Sequence, residues 1–299
     1  MHDYQTISHE LEQTVISLGI PPCPKILRDL SSEWAKDEPN FQKIEQLISA
    51  DLSLSAALIK TVNSPFYGLR SKVGSIAQAI HMLGLSHLSL MVKGMVLRDV
   101  LRGINHADMA RFLDASTHIA IISSYIACRL PYLDSSNHRP PLIDQDEAYT
   151  FGLFQDCGIP VMFSYFPHYK DTLRMANQSS GIIFTDIEDV KYGKNHATIG
   201  YRLAKSWGLP DTITNAIRYH HEHEALAHDS TLLGIESRNF IALSLLAERA
   251  IQVINGLSLS CEWHKGGAWV MQHFGLTERD FNSIITGIRI LNEDGNLNI

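Results

Sequence analysis

The sequence predicts an all-α protein, and three observations carry that expectation. Apolar residues recur at three- and four-residue steps along nearly the whole chain. No stretch alternates apolar and polar residues long enough to make a strand. Residues that cap helices stand where the periodic segments begin, as Asp51 and Ser75 do.

In "NFQKIEQLISADLSLSAALIKTVNS", Phe41, Ile44, Leu47 and Ile48 form one apolar stripe, and Asp51 caps a second helix carrying Ala57, Leu58 and Val62. "NSPFYGLRSKVG" interrupts, because Pro65, Gly68 and Gly74 break a helix. It invites a ligand-loop reading, but a terminator explains it more simply. Asn63 would bond the backbone, and Phe66 or Tyr67 would plug the core. Ser75 and Gln78 suit a capping box for "IAQAIHMLG", which Gly84 is expected to end. "LSHLSLMVKGMVLRDVLR" follows as another amphipathic helix, then "ASTHIAIISSYIACRL" after Asp114. The pair around Gly84 has helix-turn-helix proportions, yet its second helix offers few basic or amide side chains to read bases.

A polar, proline-bearing loop is expected over 131–147, then the apolar "YTFGLFQDCGIPVMFSYF", then an irregular stretch over 177–195. Helices resume in "HATIGYRLAKSWG" and "DTITNAIRYHHEHE", and two more are expected over 237–255 and 277–291.

Composition bounds the function. The 299 residues are 45% apolar and 19% charged, enough to bury a real core. A formal net charge of −7 argues against a general binder of nucleic-acid backbones. Cys23, Cys128, Cys157 and Cys261 stand singly, which favours a reducing compartment over a disulfide framework or a zinc ribbon. The N-terminus is charged and amphipathic rather than apolar, and no run approaches ~20 uninterrupted apolar residues. A cytoplasmic protein without a membrane span is expected.

Gln155-Asp156 is a polar pair at the end of an apolar segment, and an acid against a core needs a partner. Three separate helices offer one. His118 shares a stripe with Ile122 and Ile126, and His196 aligns with Gly200, Leu203 and Trp207. His220 and His221 end a helix carrying Ile213 and Ile217. Neighbours on a helix point about 100° apart, so one of the two faces a given point and the other reaches it only from a frayed end. Imidazole and carboxylate suit a divalent transition metal, which can activate a water for attack on phosphorus. Hydrogen-bonded core histidines satisfy the same spacing, so both readings stand on these residues alone.

The segment "ISADLSLSAALIKTVNSPFYGLRSKVGSIAQAIHMLGLSHLSLMV", with Asp51, Asn63-Ser64, Phe66-Tyr67-Gly68, Ala79-Ile80 and Leu83-Gly84, closely resembles the first half of the HDOD family. These are relatives of the HD-domain phosphohydrolases of bacterial signalling proteins. His118, Gly152-Leu153, "YGKNHATIGYRLAKSWGLP" and "AIRYHHE" resemble its second half. The resemblance implies a multi-helix HD-like bundle. Its N-terminal helical lobe would span 1–110 and its degenerate HD-like lobe 111–224. Helices over 225–299 would complete or flank the bundle.

In catalytic HD relatives a first His, a His-Asp pair and a later Asp hold one metal, and further histidines hold a second. By resemblance His118 matches the first His and Asp156 the Asp of the pair, with Gln155 standing where the pair's His belongs. His196, His220 and His221 match the additional histidines. For the later Asp the corresponding helix offers only Glu248, a poor equivalent. The resemblance therefore implies a signalling or interaction module that has lost hydrolysis, working through unidentified signalling proteins or a small ligand. A remnant site for a divalent transition metal would lie at His118, Asp156, His196, His220 and His221, with Gln155 behind it. The alternative is a residual metal-dependent phosphohydrolase acting on a nucleotide or phosphodiester.

Overall fold

Helix caps fix where the first elements begin. In the computed structural model, which describes residues 21–63, 72–104, 106–133, 143–226, 233–257 and 260–293, every regular element of the described residues is helical. The described residues fall into two compact units, one drawn from 1–103 and 206–209, the other from 104–205 and 210–299.

The first unit holds α1 (Lys25–Trp34), α2 (Phe41–Ser49), α3 (Leu52–Val62) and α4 (Ile76–Arg102). Asn40 caps α2 by accepting from the Lys43 amide at 3.0 Å, and Asp51 caps α3 by accepting from Leu54 at 3.0 Å. Ser75 accepts from the Gln78 amide, while the Gln78 carboxamide returns to the Gly74 amide at 2.7 Å. The box thus closes one residue early. Leu27, Leu30, Ile44, Ile48, Leu58 and Leu88 are fully buried, so the apolar stripes meet in one core.

Asn63 ends α3 and bridges chain ends, donating to the carbonyls of Ile59 and Val73 and accepting from the Val73 amide at 2.7 Å. The rest of the aromatic stretch, 64–71, lies outside the described residues. Gly84 ends the first helical segment of α4, as expected. It adopts φ 75°, ψ 169°, outside the helical region, and a second helical segment begins at once, so α4 is two helices joined across a kink. By length and mean hydropathy (1.4) α4 would pass for a membrane span, but half of its most apolar window is buried inside the protein.

The second unit holds α5 (Met109–Arg129), α6 (Gln145–Phe154), α7 (Ile159–Tyr165), α8 (Tyr169–Gln178), α9 (Phe184–Tyr192), α10 (His196–Ser206) and α11 (Asp211–Tyr219). It continues through α12 (Ile235–Ile254), α13 (Cys261–Phe274) and α14 (Glu278–Glu293). One core joins Ile122 and Ile126 of α5 to Leu243 and Leu246 of α12, Val270 and Phe274 of α13, and Ile284 and Ile288 of α14. The C-terminal helices are therefore built into this unit, with α12 packed against α5, α6, α11, α13 and α14.

Two expectations change here. The stretch 177–195 is not irregular throughout, because Phe184–Tyr192 forms α9 and Gly193 ends it in the left-handed region. Cys261–Phe274 forms a helix that periodicity did not single out, capped by Ser260 accepting from the Trp263 amide. Of the expected 131–147 loop, residues 134–142 lie outside the described residues. Asp144 caps the start of α6 at its far end.

Candidate metal centre

Asp156 stands in the turn between α6 and α7. The turn is held by the Cys157 amide donating to Phe154 and the Ile159 amide donating to Asp156, at 2.9 and 2.8 Å. Gly158 sets this turn against the start of α10, since a Cβ there would lie 2.0 Å from the His196 carbonyl oxygen. No larger residue permits that approach. It brings the Asp156 carboxylate to the His196 ring, with Oδ1 3.4 Å from Nε2.

His220 caps the C-terminus of α11 in helical geometry, and His221 follows in a turn. Leaving the helix removes the 100° constraint, and both rings reach the same point. His220 Nε2 lies 3.4 Å from Asp156 Oδ1 and 3.3 Å from His196 Nε2; His221 Nε2 lies 3.2 Å from His196 Nε2. Ligand atoms from Asp156, His196, His220 and His221 all fall within 4.8 Å of one another. His118, half-buried on α5, is not one of these four.

The outer nitrogens decide what the inner ones present. His196 Nδ1 donates to the Glu188 carboxylate at 2.8 Å, His220 Nδ1 to the Ile217 carbonyl at 2.7 Å, and His221 Nδ1 to Glu262 at 2.9 Å. A carbonyl or carboxylate oxygen carries no proton, so each ring holds hydrogen on Nδ1 and turns Nε2 inward, where a neutral ring offers a lone pair and a protonated one donates to Asp156 or to a neighbouring ring. Glu188 is itself fixed, accepting from the Tyr169 hydroxyl and from the His196 amide. Phe184 stacks on His221 with ring centroids 4.3 Å apart.

Charge follows from this wiring. Burial pushes the Asp156 carboxyl up, but the His196 and His220 imidazoles outweigh it and hold it well below the usual range. Burial disfavours a charge on His196, yet Glu188 and Asp156 on either side raise its pKa. Burial and the neighbouring His220 push His221 down to about 3, leaving it neutral. Glu248 is driven up to about 8 by burial and by Asp156, so at neutral pH it is mostly protonated. Gln155 Nε2 donates to Glu248 at 2.9 Å and, more weakly, to Asp156, while Gln155 Oε1 is buried with no partner among the described residues.

The donor set fits a transition metal. Bonds of about 2.0–2.1 Å to a tetrahedral ion place neighbouring ligand atoms about 3.3–3.4 Å apart. Four of the six separations among these donor atoms are 3.2, 3.3, 3.4 and 3.4 Å, and all six lie within 4.8 Å. The His196 and His220 rings are buried, whereas the Asp156 side chain is 22% exposed, so the cluster opens to solvent on its carboxylate side.

The HDOD domain profile matches residues 20–223, more than half of the chain. This chain belongs to the HDOD family. An uncharacterised protein of Treponema pallidum is 25% identical over 202 residues, covering 68% of the HDOD chain and 37% of that relative. YuxH of Bacillus subtilis, also uncharacterised, is 34% identical over 74 residues, covering 25% of the chain and 18% of YuxH. The chain thus spans well under half the length of these curated relatives. Among solved structures, a proposed phosphohydrolase of Shewanella amazonensis shares 20% identity at a TM-score of 0.65, covering 96% of this chain and 95% of that one. An HDOD domain protein of unknown function from Geobacter sulfurreducens shares 20% identity at 0.62, over 96% and 95%. A proposed signal transduction protein of Marinobacter aquaeolei shares 22% at 0.63, over 94% of this chain and 59% of its own. At these identities the likeness establishes the fold, an HD-like helical bundle.

Within that fold, Glu188 and Glu262 are the contributors that periodicity did not find. Glu188 lies eight residues before His196, inside the stretch expected to be irregular. Glu262 lies on α13, the helix not singled out. Glu248, a poor equivalent of the later Asp, accepts from Gln155.

Proposed function

We propose that this HDOD chain is a non-catalytic bacterial signalling module in which Asp156, His196, His220 and His221 hold one divalent transition metal ion. The observation that carries this reading is the donor count. Catalytic zinc sites keep one position open beside three protein ligands, whereas structural sites are closed by four. Four protein donors drawn onto one ion would fill a tetrahedral site and leave no place for an activated water.

The residues around Gln155 support the same conclusion. Its amide brings neither the charge nor the basicity of the imidazole that catalytic relatives have there. Its neighbour Glu248 is mostly protonated at neutral pH and adds little negative charge to hold a second ion. The module would act in the cytoplasm through contact with signalling proteins or by sensing a small ligand, with the ion fixing the relative positions of α6, α10 and α11.

A second reading, residual phosphohydrolase activity, draws on the solvent-facing side of Asp156. Around a six-coordinate ion such as manganese, the same four donors would leave positions for water and a phosphate oxygen. Metal analysis of protein purified without chelator, paired with a phosphodiesterase assay in manganese, separates the two. We expect about one ion per chain and no turnover above the blank. Turnover that Asp156→Ala abolishes would establish the hydrolase instead, and absence of metal would overturn both.

A further inference from the structure

We propose that Glu262 is a positioning residue for His221, so that α13, beyond the matched stretch 20–223, is a working part of the centre. The inference rests on the reading that the four residues take a metal. His196 and His220 receive their orientation from within the matched stretch, through Glu188 and the Ile217 carbonyl. His221 does not. It lies past the end of α11, where no helical frame holds it, and two contacts fix its ring. Phe184 stacks on the face at an interplanar angle of 6° and sets the plane. Glu262 Oε2 accepts from Nδ1 at 2.9 Å and sets which nitrogen bears hydrogen.

Glu262 is built for this task. Only 5% exposed, it is itself held from two further directions. His223 Nε2 donates to the same Oε2 at 3.0 Å, and Lys265 Nζ donates to Oε1 at 2.8 Å while also reaching the Ile182 carbonyl. A carboxylate with three donors is fixed in space and lacks a proton of its own. The His221 ring next to it must therefore carry hydrogen on Nδ1 and keep its Nε2 lone pair 3.2 Å from His196 Nε2. Without Glu262 the neutral ring would exchange between tautomers, and one of them points a hydrogen at the metal position.

The test uses the full chain. Nitrogen-15 spectra of the metal-free protein report which nitrogen of His221 is protonated, and competition with a chelating dye reports zinc affinity. In the wild type we expect hydrogen on Nδ1. Glu262→Met, similar in volume but without a strong acceptor, should mix the tautomers and weaken zinc binding about 10–100-fold, the usual cost of losing such a partner. Glu262→Gln, whose amide oxygen still accepts, should keep the tautomer and recover most of the affinity. A wild-type His221 protonated on Nε2 would overturn the proposal, and that spectrum decides even where Glu262→Met fails to fold. Unchanged tautomer and affinity in a folded Glu262→Met protein would overturn it equally. If the wild type binds no zinc, the metal reading fails while the tautomer still settles the role of Glu262.

Discussion

At the scale of single residues, Gln155 couples the Asp156 turn to a buried acid. Its amide donates to Glu248, and burial with the Asp156 charge raises the Glu248 carboxyl to about 8. The ordinary value is 4.5, so the folded state holds a proton that the unfolded chain releases. Stability should therefore fall as pH rises from about 4.5 through about 8. Glu248→Gln removes the titration, so melting temperatures of variant and wild type should diverge in the variant's favour between pH 6 and pH 9. A constant difference across that range would mean that Glu248 is ionised in the fold. Asp156→Ala deletes the one carboxylate of the candidate donor set and should abolish stoichiometric zinc uptake, read by metal analysis, while the helical circular dichroism persists.

At the scale of elements, the decisive contact is between the Asp156 turn and the start of α10. Gly158→Ala drives a Cβ onto the His196 carbonyl, backbone against backbone, with no flexible side chain to give way. We expect a loss of about 1–3 kcal/mol or more, measured by denaturant unfolding, together with weaker metal binding. The first unit has its own joint. Glu33 of α1 accepts from Lys36, from Lys43 and from the Asn40 amide ahead of α2, which lowers its pKa to about 2. Its folded value lies below the ordinary 4.5, so its contribution is complete above about 4.5 and fades as pH falls toward 2. The melting temperature of Glu33→Gln should lie below the wild type at pH 7, and the gap should close on acidification.

Legibility varied with the kind of signal at this same scale. Helices with apolar stripes, such as α2 and α3, follow from periodicity, and for α3 from Asp51 as its cap. Helix α13 did not, because Gly266-Gly267 resembles a break. Packing explains those glycines: a Cβ on Gly266 would meet Leu245 of α12 at 2.7 Å and the His223 ring at 2.8 Å. Helix α9 was hidden behind the polar residues that bracket it, and with it went Glu188. The inward direction of His196 could be read from its stripe. The convergence of both His220 and His221 could not, since it depends on where α11 stops.

At the scale of the whole molecule, the second unit brings four potential metal donors together from three places in the chain and fixes a hydrogen on Nδ1 of each of three imidazoles. Two of the three outer partners are carboxylates on helices that pack beside the site, which is the cost and the purpose of placing α9 and α13 there. The central claim is a closed four-ligand centre, and X-ray absorption on zinc-loaded protein measures it most directly. We predict four nitrogen or oxygen neighbours at about 2.0–2.1 Å with the multiple-scattering signature of three imidazoles. A five- or six-coordinate ion with fewer imidazoles would contradict the account and point to an open, water-bearing site.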